Sequence, residues 1–122
     1  MTPKDCLFCE LVRSGSHIRR TDGFVAIEDI NPKAEVHVLV VPERHIDTFR
    51  QIGEFPAEEA RRMLEFIAET ARFLGLEDYR VLCTVGARAG QTVYHLHWHL
   101  LGGQDLGGQM PALALAEVEG EQ

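Results

Sequence analysis

Apolar residues fall into several short runs and one long stripe at helical spacing. The run Val36–Val41 is rich in β-branched residues and stops at Pro42, which predicts a central strand that is apolar on both faces. Shorter runs predict further strands over residues 24–27, 79–85 and 93–101. Gly86–Gly90 is expected to form the loop between the last two of these strands.

The stripe predicts one long helix over residues 56–74. Pro56 suits the first helical position, and Gly75 suits the stop. Its apolar face is expected to consist of Ala60, Met63, Leu64, Ile67, Ala71 and Leu74. The spacing of residues 7–12 predicts a second, short helix near the N-terminus. Strands in succession around one long helix indicate an α+β domain with an antiparallel sheet.

Composition narrows the class of protein. The chain has 122 residues and a formal net charge of −7, so we expect no nucleic-acid binding. A small phosphorylated ligand is compatible with this charge, because backbone N–H groups can bind phosphate. We find no apolar run of membrane-spanning length and no signal-peptide pattern in residues 1–5, and we expect a cytoplasmic protein with no membrane association. The three cysteines are then expected to be thiols or metal ligands.

The strand predicted over residues 93–101 carries histidine at every second position. His95, His97 and His99 would point to one face, because strand side chains alternate. Residues 94, 96, 98 and 100 would point to the other face, where a helix could cover them. The pattern allows three interpretations: exposed histidines on an edge strand, a metal site, or catalysis by a nucleophilic imidazole.

His95-Leu96-His97-Trp98-His99-Leu100-Leu101 resembles the signature of the histidine triad (HIT) family, His-apolar-His-apolar-His-apolar-apolar. Residues 90–94, 29–32 and 36–42 resemble the same family, specifically its Hint branch. The resemblance covers residues 5–103, so we expect a HIT domain over 1–103 and a partly flexible tail over 104–122. It implies an α+β fold in which an antiparallel sheet of about five strands carries one long and one short N-terminal helix.

The resemblance implies a nucleotide hydrolase or transferase. His97 would be the nucleophile that attacks the α-phosphorus, and the ligand would be a purine nucleotide such as AMP. His99 replaces the Gln that other branches carry, which favours the Hint branch and its nucleoside phosphoramidates. His99 would contact the phosphate or leaving group, and His37 would support the triad. The loop Gly90-Gln91-Thr92 would supply donors to the phosphate.

The resemblance also implies how the nucleoside is held. Asp29 matches a carboxylate that accepts the ribose hydroxyls. Four apolar residues match the walls around the purine: Leu7, Phe8, Leu11 and Ile27. They could equally be ordinary core residues. Ile30 is placed in the same site. Thr84 stands where many relatives have Asn, so turnover or leaving-group preference could differ from theirs.

Cys6-Leu7-Phe8-Cys9 has a spacing typical of zinc ligands. A redox pair or two small buried thiols are the alternatives, although a redox pair would need a preceding strand. In bacterial-type HIT proteins the remaining ligands match His45 and His95. We therefore expect a structural zinc ion bound by Cys6, Cys9, His45 and His95, and no organic cofactor.

The resemblance further implies a homodimer that joins two sheets side by side. Four activities stay open on the sequence alone: a phosphoramidate hydrolase, a dinucleoside polyphosphate hydrolase, a nucleotide-binding module with incidental hydrolysis, and a small zinc-binding structural protein. A measurement of thermal stability with and without AMP distinguishes the zinc-binding structural protein from the other three, because a ligand that binds the native state raises its apparent stability.

Overall fold

The computed structural model describes residues 6–107, which form an antiparallel sheet with one α-helix on each face. Five strands lie in the order β1-β2-β3-β5-β4, and every neighbouring pair is antiparallel. The elements, in chain order, are α1 (Leu7–Ser14), β1 (Arg19–Thr21), β2 (Phe24–Glu28), β3 (Val36–Pro42), a 3-10 helix (Phe49–Glu54), α2 (Ala57–Phe73), β4 (Tyr79–Leu82), a 3-10 helix (Ala87–Ala89) and β5 (Trp98–Gly102). The expected α+β architecture is confirmed.

The predicted central strand is the middle strand of the sheet. β3 pairs with β2 on one side and with β5 on the other, so Val40 lies opposite both Ala26 and Trp98. Its side chains from position 37 onward are buried on both faces, as a continuous apolar run requires. The strand therefore fixes where both helices pack.

Helix α2 covers one face of the sheet. Pro56 and Leu74 cap it, and Gly75 follows with a φ of +76°, a conformation that glycine adopts without steric cost. The core on this face combines α2 residues, even-numbered strand residues and a few residues of the connecting segments. Its members are Phe24, Ala26, Val38, Val40, Ile46, Phe55, Met63, Phe66, Ile67, Ala71, Leu96 and Leu100.

The predicted buried stripe of α2 is wrong at Leu64, whose exposed fraction is 54%. One residue turns an α-helix by about 100°, so Leu64 lies to the side of the buried Met63. Phe66 and Thr70 complete the buried arc instead. The Thr70 hydroxyl is satisfied there because it donates to the Phe66 carbonyl at 2.7 Å.

Helix α1 covers the opposite face, as the short N-terminal helix was expected to do. Phe8 and Val12 pack on the odd-numbered strand residues Val25, Ile27, Leu39 and Val41. The helix ends where the Gly15 N–H donates to the Leu11 carbonyl. His37 and His99 lie on the α1 face as well, since each alternates with residues of the α2 face.

Two predicted strands are longer than the observed ones. The strand expected over 79–85 ends at Leu82, before Cys83, and the strand expected over 93–101 begins only at Trp98. The segment before Trp98 leaves the sheet because the Leu96 N–H donates to the Ile46 carbonyl, outside the strand ladder. Residues 86–90, expected as a simple hairpin loop, contain a 3-10 helix. Tyr94, expected under a helix, is 42% exposed.

Other parts of the fold have weak sequence signals. The edge strand β1 consists of Arg19, Arg20 and Thr21, without an apolar position. At the end of the described residues, Leu106 is buried and the Gln104 side chain accepts a hydrogen bond from the Glu35 N–H at 2.6 Å. The rest of the expected tail, 108–122, lies outside the described residues. Between residues 6 and 107, neither helix has the length and apolar character that crossing a membrane requires.

Candidate active site and metal centre

Four side chains from three parts of the chain converge under the N-terminus of α1. Cys6 and Cys9 come from the start of the helix, His45 from the turn after β3, and His95 from the segment before β5. The Cys9 Sγ lies 3.3 Å from the His45 Nδ1 and 3.4 Å from the His95 Nδ1. The Cys6 Sγ lies 3.4 Å from the same His95 nitrogen, and the two Nδ1 atoms are 3.1 Å apart.

These separations fit a tetrahedral zinc ion. Bonds of about 2.3 Å to sulfur and about 2.0–2.1 Å to nitrogen place a neighbouring sulfur and nitrogen about 3.5 Å apart, and two nitrogens about 3.3 Å apart. The donor set of two thiolates and two imidazoles is also one that zinc prefers. The sequence prediction named these four residues, and the fold brings all of them together.

Hydrogen bonds behind the two histidines point their lone pairs at each other. The His95 Nε2 lies 2.8 Å from the Pro42 carbonyl, which can only accept, so Nε2 carries the proton and Nδ1 the lone pair. The His45 Nε2 similarly donates to the Asp47 carboxylate at 2.8 Å. Two lone pairs that face each other repel, and a metal ion bound by both nitrogens removes that repulsion, so the tautomers as well as the distances fit a metal.

Burial reinforces the neutral state of His95. Desolvation lowers the pKa of His95 to about 4, against a weaker opposing effect of its hydrogen bond to Pro42. His95 therefore stays unprotonated at neutral pH, as a metal ligand must. Asp47 is not among the residues predicted from the sequence, although a carboxylate two residues after a candidate ligand is a signal that could have identified it.

The ring of His97 is buried and held in a defined tautomer. Its Nδ1 lies 2.8 Å from the His95 carbonyl, so Nδ1 carries the proton and Nε2 keeps the nucleophilic lone pair. The Phe8 ring meets the His97 ring nearly at right angles, with centroids 4.8 Å apart. The His99 ring is on its other side at 5.3 Å. The geometry is that of an imidazole prepared for attack through Nε2.

A hydrogen-bonded series leads from the backbone to His99. The Lys33 N–H donates to the His37 Nδ1 at 3.0 Å, so the proton of a neutral His37 lies on Nε2. That Nε2 is 2.9 Å from the His99 Nδ1 and 3.4 Å from the Asp29 carboxylate. His99 consequently carries its own proton on Nε2 and can donate it in a hydrogen bond.

Asp29, His37 and His99 also lie close enough together to be considered a metal site. Their tautomers argue against it, because the His37 Nε2 carries a proton where a metal would need a lone pair. The position of the imidazole proton therefore supports zinc at the cluster of Cys6, Cys9, His45 and His95 and argues against a metal at Asp29, His37 and His99.

The buried side-chain amide of Gln91 holds the loop that precedes the three histidines through hydrogen bonds. Its Oε1 accepts from the Gly86 N–H at 2.9 Å. Its Nε2 donates to the carbonyls of Asp47 at 2.8 Å and of Val93 at 3.1 Å. The sequence analysis expected Gln91 among the phosphate donors, and the structure places its side chain in these three contacts. Its backbone stays part of the loop with Gly90, which has a φ of +107°.

The two threonines of the predicted site have different surroundings. Thr92 is exposed and lines an open pocket of about 370 Å³ together with Tyr94 and Asp47. Thr84 lies beyond the end of β4, and its hydroxyl is buried without a hydrogen-bond partner among residues 6–107. A buried hydroxyl of this kind has spare donor capacity for a ligand or a water.

The residues expected to line a purine are brought together only in part. Phe8 and Ile27 are buried in one cluster, and Leu11 packs against it. Leu7 is 54% exposed and Ile30 is 91% exposed, so neither belongs to that cluster. Among the predicted wall residues, the buried ones therefore come from α1 and β2, and Leu7 and Ile30 are exposed.

Comparison with known proteins shows the family. The model described as "HIT domain" matches residues 12–106. A purine nucleoside phosphoramidase from Escherichia coli strain K12 is 30% identical in an alignment of 109 residues that covers 85% of this chain and 92% of that protein.

Solved structures agree with this result. A HIT family hydrolase from Clostridium thermocellum has a TM-score of 0.82 and 37% identity, covering 89% of this chain and 99% of its own. A zinc-bound histidine triad family protein from Mycobacterium smegmatis has a TM-score of 0.67 and 26% identity, covering 96% of this chain and 95% of its own.

Proposed function

This chain belongs to the HIT domain family, and we propose that it hydrolyses purine nucleoside phosphoramidates through a covalent nucleotidyl intermediate on His97, as a member of the Hint branch. The observation that carries the proposal is the tautomer of His97: its Nδ1 proton is held by the His95 carbonyl, which leaves Nε2 as the nucleophile. The relative from Escherichia coli named as a purine nucleoside phosphoramidase supports this substrate class.

In the first step, the His97 Nε2 attacks the α-phosphorus. The phosphorus–nitrogen bond to the leaving amine breaks with its electron pair going to nitrogen, and the amine takes a proton from solvent. The His97 ring becomes cationic as the new bond forms, so its hydrogen bond to the His95 carbonyl becomes charge-assisted. This contact is stronger in the transition state than before it, which is the requirement for lowering the barrier.

In the second step, water attacks the phosphorus and the bond to His97 breaks. AMP leaves, a proton passes to solvent, and His97 returns to its neutral form. His99 directs its Nε2–H toward the phosphate or the leaving group through both steps, because His37 holds its Nδ1. The exposed Thr92 hydroxyl and the backbone of Gly90 and Gln91 supply further donors to the phosphate.

The nucleoside is held on the α1 side of the sheet. The Asp29 carboxylate accepts the ribose hydroxyls, while Leu11, Ile27 and Ile30 contact the base. The buried Thr84 hydroxyl lies just beyond the end of β4 without a hydrogen-bond partner among residues 6–107, and we assign it to the phosphate or leaving group. The exposed Leu7 side chain contacts the nucleoside at the edge of the same site.

We further propose that Cys6, Cys9, His45 and His95 hold a structural zinc ion, with no organic cofactor. The facing lone pairs of the two imidazoles support this, as does the zinc-bound relative from Mycobacterium smegmatis. Zinc would supply a cross-link between α1 and the histidine segment rather than any step of the reaction. A cytoplasmic location belongs to the proposal, because thiolate ligands stay reduced there.

The proposed assembly is a homodimer that joins two sheets through β4. On this edge strand Tyr79 and Val81 are 37% and 41% exposed, and Leu64 on α2 is 54% exposed on the same side of the sheet. Exposed apolar side chains beside a strand edge are the kind of surface that a second copy covers.

Hydrolysis of an adenosine 5′-phosphoramidate tests the proposed function directly. Wild-type protein should release AMP, and His97→Ala should not, while His17→Ala should match the wild type. His17 is a suitable control because it contacts the Leu11 carbonyl and none of the site histidines described above. AMP binding without turnover in the wild type would instead support a nucleotide-binding module.

A further inference from the structure

Phe8 links the metal cluster to the nucleophile. In the chain it lies between Cys6 and Cys9, two of the four ligand candidates. In space its ring meets the His97 ring at 86° with centroids 4.8 Å apart, and the His95 ring at 64° with centroids 6.3 Å apart.

The environment of Phe8 is that of a core residue. Its exposed fraction is 6%, and it packs in the cluster formed by α1 and the strands β2 and β3. Little of the ring is therefore available to a ligand. Most of its contact area serves the protein itself.

The His97 ring needs two restraints to point in one direction. The hydrogen bond from Nδ1 to the His95 carbonyl holds one atom of the ring. A hydrogen bond tolerates some misalignment, so the ring can still rotate by a limited angle about its Cβ–Cγ bond, which moves Nε2. A second ring set nearly perpendicular to the imidazole blocks this rotation, and such edge-to-face pairs are energetically favourable.

We propose that Phe8 is a positioning residue, which fixes the plane of the His97 ring for attack and is itself held in place by the cysteines on either side of it. The inference rests on the proposed hydrolase function and deepens it. Near-attack geometry is sensitive to displacements of about 1 Å, so a residue packed against the nucleophile can control the chemical step without touching the reacting atoms.

The proposal differs measurably from the role that the sequence resemblance implies for Phe8. A wall of the purine pocket binds the substrate and the transition state alike, so its loss raises KM. A residue that orients the nucleophile acts only on the chemical step, so its loss lowers kcat.

The test compares Phe8→Leu with Val12→Ala. Both residues lie on α1, are 6% exposed and belong to the same cluster, so both variants lose buried contacts. With adenosine 5′-phosphoramidate as substrate, Phe8→Leu should lower kcat by about 3- to 100-fold with KM within about twofold of the wild type. Val12→Ala should leave both constants unchanged. If Phe8→Leu does not fold, Phe8→Met fills the site with a flexible side chain of similar size.

Nuclear magnetic resonance reports the orientation of the His97 ring without any measurement of turnover. In protein labelled with ¹⁵N-histidine, the Nδ1 and Nε2 signals of His97 should move toward each other in Phe8→Leu, because a ring no longer held in one orientation exchanges between tautomers, and those of His17 should not change. A rise in KM at constant kcat, an equal loss of kcat in Val12→Ala, or an unshifted His97 signal would overturn the proposal. If the wild type releases no AMP, the hydrolase function fails, and the convergence of the two His97 nitrogen signals in Phe8→Leu still decides whether Phe8 orients the ring.

Discussion

Removal of the proposed zinc ion should lower stability far more than the loss of one buried thiol. The four ligands come from α1, from the turn after β3 and from the segment before β5, so the metal cross-links three parts of the chain. Without it, the His45 and His95 lone pairs face each other across 3.1 Å. Metal at about a thousandfold above its dissociation constant stabilises the folded state by about 4 kcal/mol.

For a chain of this length, about 4 kcal/mol corresponds to a fall in Tm of about 12–24 °C. Thermal unfolding followed by circular dichroism should show this fall in Cys9→Ser and in wild-type protein stripped of metal. Cys83→Ser is the matched control, because Cys83 is half-buried and lies outside the cluster. Burial raises the pKa of the Cys83 thiol to about 11, so it is protonated at neutral pH and unsuited to metal binding. Equal Tm values for metal-loaded and stripped wild type, or an equal loss in Cys83→Ser, would refute the reasoning.

Three further results are expected. Met63→Ala should cost about 2–5 kcal/mol in chemical denaturation and Leu64→Ala less than about 0.5 kcal/mol, because only Met63 is buried; equal losses would contradict the packing of α2. Gln91→Ala should cost about 1–3 kcal/mol, because it leaves the buried Gly86 N–H unpaired and removes the donor from two part-buried carbonyls. Unfolding at the wild-type denaturant concentration would show that the amide is dispensable. Val81→Lys should convert the proposed dimer into a monomer in sedimentation velocity, since the charge would lie in the interface; an unchanged dimer would place the interface elsewhere.

The parts of the fold that could be predicted from the sequence are those with a strong local pattern of residues. The β-branched run at 36–41 could hardly be anything but a central strand, and the apolar spacing with Pro56 and Gly75 defined α2. The metal cluster followed from residue types and the family resemblance. Its four members are far apart in the chain, yet the fold brings them together.

The errors arise where tertiary contacts override local pattern. The alternation at residues 93–101 is typical of a strand, but the Leu96 N–H bonds to Ile46 and shortens it. The histidine side chains still share a face, so the functional reasoning does not depend on the strand. The role of the Gln91 amide could not be deduced from pattern alone, because its partners are backbone groups that any residue could supply. Asp47 differs, because its partner His45 is only two residues away and the sequence therefore carried a usable signal.

The central claim is that His97 forms a covalent bond to the nucleotide, and rapid-quench mass spectrometry tests it most directly. Wild-type protein mixed with adenosine 5′-phosphoramidate and quenched in base should carry an AMP adduct on the peptide that contains His97. The adduct and the release of AMP should both be lost in His97→Ala. Release of AMP that persists in His97→Ala, without an adduct in either protein, would contradict the account.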